Sequence, residues 1–227
     1  MTDDQPRLGR ADSAALALTF FSLGVTLQVL LIDRGASLWN ALAASTFIWS
    51  ATSQFAYLAV RDAGGGDWAA IVAGTVVATR FGILATSLVP RLPAGTIRRM
   101  LASVNAFDPN VAIAVQQRDE RSVEREFWRV TAAMMGGWFP GIVVGTFVGN
   151  VIGDVDRLGL DAVFPAALLS IIAGLLRTGE GFAAGVSGAV ICVALIPIAP
   201  AGVPIVLSVF GVVVGAVYAR RCTGAAS

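Results

Sequence analysis

The sequence contains no histidine and no lysine, two cysteines, and only 14% charged residues among 227. Each shortage excludes something. Without histidine there can be no Ser-His triad, imidazole metal site or histidine proton relay. A net charge of +1 provides no clustered cation excess, so no nucleic-acid partner is expected. Cys192 lies in an apolar run and Cys222 in the polar tail, which reads as two free thiols rather than a disulfide. Nucleotide-binding, haem and flavin motifs are lacking, so neither a cofactor nor a catalytic or metal site is expected.

What the chain has instead is apolar residues: 56% are hydrophobic and the mean hydropathy is +0.76, whereas soluble chains carry roughly 25% charge. The fold class expected is all-α, a polytopic integral membrane protein with about seven transmembrane helices. Apolar runs lie at about 14–32, 38–60, 68–89, 127–152, 158–176, 182–198 and 201–219. Seven spans use roughly 140 residues and leave no room for a soluble catalytic domain. The organisation is a polar N-terminal tail at 1–13, a single transmembrane domain at 14–219, and a polar tail at 220–227. Asp3, Asp4 and Asp12 before the first run do not fit a secretory signal, so the segment is expected to be retained. Pro197, Pro200 and Pro204 separate the last two spans, because prolines this dense cannot continue a helix.

Segment 90–126 is ambiguous. It carries Arg91, Arg98, Arg99, Arg118, Arg121 and Arg125, yet Met100, Val104, Phe107, Val111 and Val115 recur at helical spacing, as on one apolar face. If it stays at the surface there are seven spans, the N-terminus is external, and eleven Arg lie inside against four outside. If 97–117 crosses there are eight spans, the N-terminus is inside, and the division is ten to five. Both alternatives put 118–129 and the C-terminal Arg220-Arg221 in the cytoplasm.

Small residues recur at Gly136, Gly137, Gly141, Gly145 and Gly149, spacing that lets two helix backbones approach closely. Packing within one subunit explains them more simply than a dimer seam, although a homo-oligomer stays open. Trp39, Trp68 and Trp128 sit at span edges, where aromatic side chains anchor helices at the lipid interface.

The few polar residues inside spans are the candidate site. Arg80 falls mid-span, where an Arg costs about 2.5–3.5 kcal/mol on insertion scales. It must face a cavity or a partner: either it holds a substrate carboxylate through two hydrogen bonds, or it forms a buried ion pair. Asp161, ahead of Pro165, is either an N-cap or the partner of Arg80, or it titrates during transport. Asn105 and Asp108 are three apart beside Pro109, spacing that would put them on one helical face of a re-entrant or cavity-lining element; an ordinary Asp-Pro-Asn turn fits equally. In the second span Gln54 seeks an external partner, and with Ser50 and Ser53 it would line a polar path.

Taken in order, Ser50-Ala51-Thr52-Ser53-Gln54-Phe55, Arg80, Asp108 in a Pro-broken stretch, Gly159-Leu160-Asp161 with Pro165, and Ala201-Gly202-Val203-Pro204-Ile205 resemble the AzlC-type branched-chain amino acid permease family over roughly 14–219. The family commonly has Asn before and His just after this Arg, where the chain has Ala78 and Phe81, and often Asp-Glu where it reads Asp108-Pro109. The resemblance implies a multi-pass protein of the cell inner (plasma) membrane that exports branched-chain amino acids or a similar small amphipathic solute. It also implies a small AzlD-type membrane subunit as partner. On that basis Arg80, Gln54, Ser50 and Ser53 would bind substrate, Asp161 or Asp108 would take the ammonium or a coupling proton, and Asn105 and Pro165 would line the cavity. The alternative from another class is a non-transporting scaffold that stabilises a partner subunit. An intramembrane enzyme lacks the histidine that serine proteases and metalloproteases require.

Overall fold

The computed structural model describes residues 8–151, 175–199 and 203–224. The 158–176 run lies almost wholly outside them, and Asp161 and Pro165 lie outside altogether. Ten α-helices carry the described residues: α1 (Arg10–Asp33), α2 (Leu38–Phe47), α3 (Ala51–Asp62), α4 (Asp67–Leu88), α5 (Thr96–Val104), α6 (Asp108–Ala114), α7 (Glu120–Val151), α8 (Gly179–Leu195), α9 (Val203–Leu207) and α10 (Gly211–Gly224). Among these residues there is no strand. Three segments, Arg10–Asp33, Asp67–Arg91 and Glu120–Gly149, are long and apolar enough to cross a bilayer. The chain is an all-α membrane protein.

The residues fall into two compact units, Met1–Ala51 with Val77–Val155, and Thr52–Val76 with Asp156–Ser227. The axis of the first is the pairing of α1 with α7. A Cβ on Gly141 would meet the Phe21 carbonyl oxygen at 2.5 Å, one on Gly145 the Val25 oxygen at 2.7 Å, and one on Gly137 would drive into the Ala17 oxygen. The recurring glycines therefore seat α1 backbone within this one chain. The contact advances in the same direction along both helices, so α1 and α7 run parallel. Asp119 opens α7, accepting a hydrogen bond from the Ser122 N–H at 2.9 Å. The Ser122 hydroxyl and N–H, helped by the Arg125 charge, hold its carboxyl below the ordinary value of 3.8.

Two expected segments are divided. The 38–60 run is not one helix, because α2 stops at Phe47 and α3 starts at Ala51. The 97–117 stretch is likewise two short helices, α5 and α6, with a break at 105–107. Asn105 ends α5 by donating its own amide to the Leu101 carbonyl at 2.8 Å, and Pro109 sits in the first turn of α6, where a missing N–H costs nothing. The break reverses the apolar face: Met100 and Val104 point outward, whereas Val111 is buried with Ala114, Val123 and Phe127. The expected shared face of Asn105 and Asp108 does not form, since the residues between them are not helical.

In the second unit α3 and the start of α4 make an antiparallel hairpin around Val60, Ala70 and Ala73, and Arg61 bridges Asp67 at 2.6 Å across the turn. Gly64 makes this turn at φ +81°, a conformation that favours glycine. Tight packing of Gly188 and Gly211, and of Gly215 on Ala184, sets α8 antiparallel to α10. Cys192 is a free, half-buried thiol.

Candidate functional site

Arg80 projects from α4 and is met by the residue that opens α6. Its Nη2 lies 3.2 Å from Oδ2 of Asp108, with the two side chains 41% and 51% exposed. The ion pair of Arg80 is made with Asp108, and it is half-exposed rather than buried. The Phe81 ring lies 4.9 Å from the Arg80 guanidinium carbon, a cation–π contact. Phe81 meets Phe107 edge-on at 4.9 Å, and Phe107 meets Trp49 edge-on at 4.8 Å. Trp49 in turn stacks on Phe139 at 6.4 Å. The opposite-charge pair therefore stands at one end of a run of four aromatic rings, each in contact with the next.

Both helix breaks converge here. Trp49 comes from the α2–α3 break and Phe107 from the α5–α6 break. The second break is tied down by Asn110, whose Oδ1 accepts from the Phe107 N–H at 2.8 Å while its Nδ2 donates to the Asn105 carbonyl at 2.6 Å and to Thr131 Oγ1 at 2.8 Å. Arg91 donates to the Val115 carbonyl at 2.5 Å and holds the far end of α6. Asp108 is thereby placed by backbone that is pinned before and after it.

A second polar network crosses α1, α2 and α7. Ser45 Oγ donates to Gln28 Oε1 at 2.8 Å, Gln28 Nε2 donates to Thr146 Oγ1 at 2.9 Å, and Thr146 Oγ1 donates to the Ile142 carbonyl at 2.7 Å. The Trp138 indole Nε1 donates to the Ser45 carbonyl at 3.0 Å. Gln28, Ser45 and Trp138 are sealed from the surroundings.

Of the other candidates, Ser50 lies in the same unit as Arg80 and directly follows Trp49, and it is buried. Ser53 and Gln54 are also buried but belong to the second unit. All three are engaged in interactions within the chain. Asn105 is occupied in capping α5. Among the described residues no three His, Cys, Asp or Glu side chains gather as a metal site.

Residues 15–152 match the sequence profile of the family described as AzlC protein. The chain belongs to the AzlC family. No curated protein and no solved structure matches it. The matched stretch contains most of α1 and all of α2 to α7, and hence Arg80, Asp108, Phe81, Phe107, Trp49 and Phe139. The AzlC family is associated with branched-chain amino acid transport, so the chain is a membrane transporter at family level.

Sequence reasoning missed Gln28, Asn110, Thr131, Trp138 and Thr146. Gln28 carried a signal, since a primary amide inside Leu27-Gln28-Val29-Leu30 must find a partner in lipid. Trp138 carried none, because its partner is a backbone carbonyl far away in sequence.

Proposed function

We propose that the chain is a secondary exporter of branched-chain amino acids, or of an equally small amphipathic solute, in the cell inner (plasma) membrane. The observation that carries this is the half-exposed Arg80–Asp108 pair at one end of a run of four aromatic rings. An amino-acid zwitterion replaces the pair without changing the charge of the site: its carboxylate takes the Arg80 fork and its ammonium takes Asp108. The apolar side chain then lies against Phe81, Phe107 and Trp49. Asp108 alternatively accepts a coupling proton when the pair opens, and Asp161 holds the same role in reserve. Ser50, buried directly after Trp49 in the same unit, lines the polar path to the pair. A small AzlD-type subunit completes the transporter.

The parallel pairing of α1 with α7 supports an even number of crossings before α7, hence both termini cytoplasmic. The test is export of labelled leucine from loaded cells, with membrane insertion measured in parallel. Arg80→Ala and Asp108→Asn each lower the initial rate by about ten- to a hundredfold, the value of a charge-assisted hydrogen bond. Wild-type export by a stably inserted Arg80→Ala protein overturns the assignment.

A further inference from the structure

The two ends of the stretch 92–117 lie together. Arg91 donates to the Val115 carbonyl at 2.5 Å, and Arg99 Nη2 donates to the Leu92 carbonyl at 2.9 Å. Arg98 Nη1 lies 3.5 Å from Oε2 of Glu124, near the start of α7. Leu88 and Leu92 share one core with Ala114 of α6 and Val123 of α7. The middle of the stretch lies elsewhere: Phe107 packs on the Val130–Met134 core, Asn110 donates to Thr131 Oγ1, and Asp108 meets Arg80. Along the Asp67–Arg91 helical segment, Arg91 and Arg80 are about 16 Å apart at 1.5 Å per residue. Along α7, Glu124 and Met134 are about 15 Å apart. Two neighbouring helices thus give the 105–108 break the same depth below the ends, half of a hydrocarbon core of about 30 Å.

We infer that residues 92–117 form a re-entrant hairpin, which enters and leaves through the cytoplasmic face and presents Asp108 at the middle of the membrane. Its legs have the length for this and no more: α5, of 9 residues, reaches about 14 Å and α6, of 7, about 10 Å. Gly95, at φ +149°, turns the chain into α5. α5 is the outer leg, with Ile97, Met100, Leu101 and Val104 exposed as a lipid-facing stripe and Ala102 buried. α6 is the inner leg, with Val111 and Ala114 buried. A helix break inside a bilayer needs its backbone groups satisfied by protein, and Asn110 supplies this at the tip, to the Phe107 N–H and the Asn105 carbonyl. The charges agree, since Arg91, Arg98 and Arg99 then join Arg118, Arg121 and Arg125 on the cytoplasmic face. A hairpin adds no crossing, and α4 ends on the face where α7 begins. The consequence for transport, a substrate pair at mid-membrane reached past the hairpin, rests on the reading of Arg80 and Asp108 as the substrate site; the path of the chain does not.

Single cysteines at opposite ends of the stretch test this in the full chain carrying Cys192→Ala and Cys222→Ala. Thr96→Cys and Gln116→Cys alter exposed positions, and Asn40→Cys, beyond the far end of α1, reports the outer face. Each is treated with a membrane-impermeant maleimide in inside-out and right-side-out vesicles. The expected result is that Thr96→Cys and Gln116→Cys both react at least tenfold faster in inside-out vesicles, and Asn40→Cys at least tenfold faster in right-side-out ones. Reaction of the first two from opposite faces shows a crossing and overturns the inference, as does reaction of both from the face that labels Asn40→Cys. Where a position is shielded from the reagent, oxidative crosslinking of Arg98→Cys to Glu124→Cys, read by mass spectrometry of the linked peptides, decides instead. A crossing puts those residues on opposite faces, so a missing crosslink overturns the hairpin and its formation supports it. Arg80→Ala leaves the labelling as in the wild type. A failure of the substrate assignment is therefore read in export, and a failure of the hairpin in labelling.

Discussion

Replacing the glycines of α7 one at a time with alanine gives a graded loss of stability whose order follows from the α1 backbone. At Gly137 the new methyl drives into the Ala17 carbonyl oxygen; at Gly141 it meets the Phe21 oxygen at 2.5 Å; at Gly145 it meets the Val25 oxygen at 2.7 Å; and at Gly149 its nearest neighbours are the Ile32 Cδ1 and the Val29 Cα, both at 3.2 Å. Ordinary contact begins at 3.4 Å. Restoring it opens the seam by about 0.9 Å at Gly141, and a gap of about 0.5–1 Å forfeits a quarter to a half of each dispersion contact across it. Overpacking of this kind costs about 1–3 kcal/mol, with Gly137→Ala and Gly141→Ala at or above the top of that range and Gly149→Ala at about 1 kcal/mol, because its contacts fall short of ordinary distance by only about 0.2 Å. For a chain of this length 1 kcal/mol lowers a melting temperature by about 2–4 °C. Thermal unfolding in detergent micelles should then fall in the order Gly137, Gly141, Gly145, Gly149, by about 6–12 °C for Gly141→Ala. Gly136, which has open space where a Cβ would go, is the internal control: alanine there is neutral or stabilising by up to about 1 kcal/mol of helix propensity. Equal losses at all four positions, or a loss at Gly136 matching that at Gly137, would refute the backbone-contact argument.

Gln28→Leu removes the bridge between Ser45 and Thr146 and should cost about 1–2 kcal/mol in the same melting assay; an unchanged melting temperature argues against the network. Asn110→Leu leaves the Phe107 N–H and the Asn105 carbonyl without their side-chain partner and should cost about 2–4 kcal/mol, with leucine export lost because Asp108 is no longer held; retention of both stability and export counts against the pinned break. Exchanging the charges, Arg80→Asp with Asp108→Arg, should restore insertion relative to either single change while leaving export low, since a zwitterion then meets both charges in the wrong order; full export by the exchanged protein contradicts the site. Asp119 has a folded-state carboxyl held below 3.8, so its contribution is present above that value and lost as pH falls through the depressed one. The melting difference between wild type and Asp119→Ala should therefore be largest near neutral pH and narrow below about pH 4, and a difference that grows on acidification reverses the sign.

Much of the helical layout was legible because apolar run length in lipid has few alternatives. α1, α4 and α7 begin and end close to where the hydropathy places them. The break in 97–117 was half visible, since Pro109 marks it, but periodicity alone could not show that Asn105 would cap α5 and turn the second half inward. The interruption at 48–50 was invisible because residues 38–62 contain neither glycine nor proline to mark it. For the site, Arg80 stood out as a charge that orientation does not require, and Asp108 was one of two carboxylates that could answer it. That Asp108 reaches Arg80 needed the distance, Asp161 lying outside the described residues, and the contacts of Phe81, Phe107 and Trp49 needed the ring geometry; as single letters they are indistinguishable from lipid-facing aromatics.

The Gln28–Thr146 hydrogen bond spans 118 residues of chain. At a synthesis rate of about 5–20 residues per second, α1 waits roughly 6–24 s before its partner helix emerges, and for that time the Gln28 Nε2 and the backbone that the glycines will cover lack their α7 partner, Ser45 of α2 answering only the amide oxygen. Lipid is a poor host for an unpaired amide donor. A ribosome stalled before α7 should then yield a nascent chain in which a probe at residue 28 is more open to crosslinking than once α7 is made.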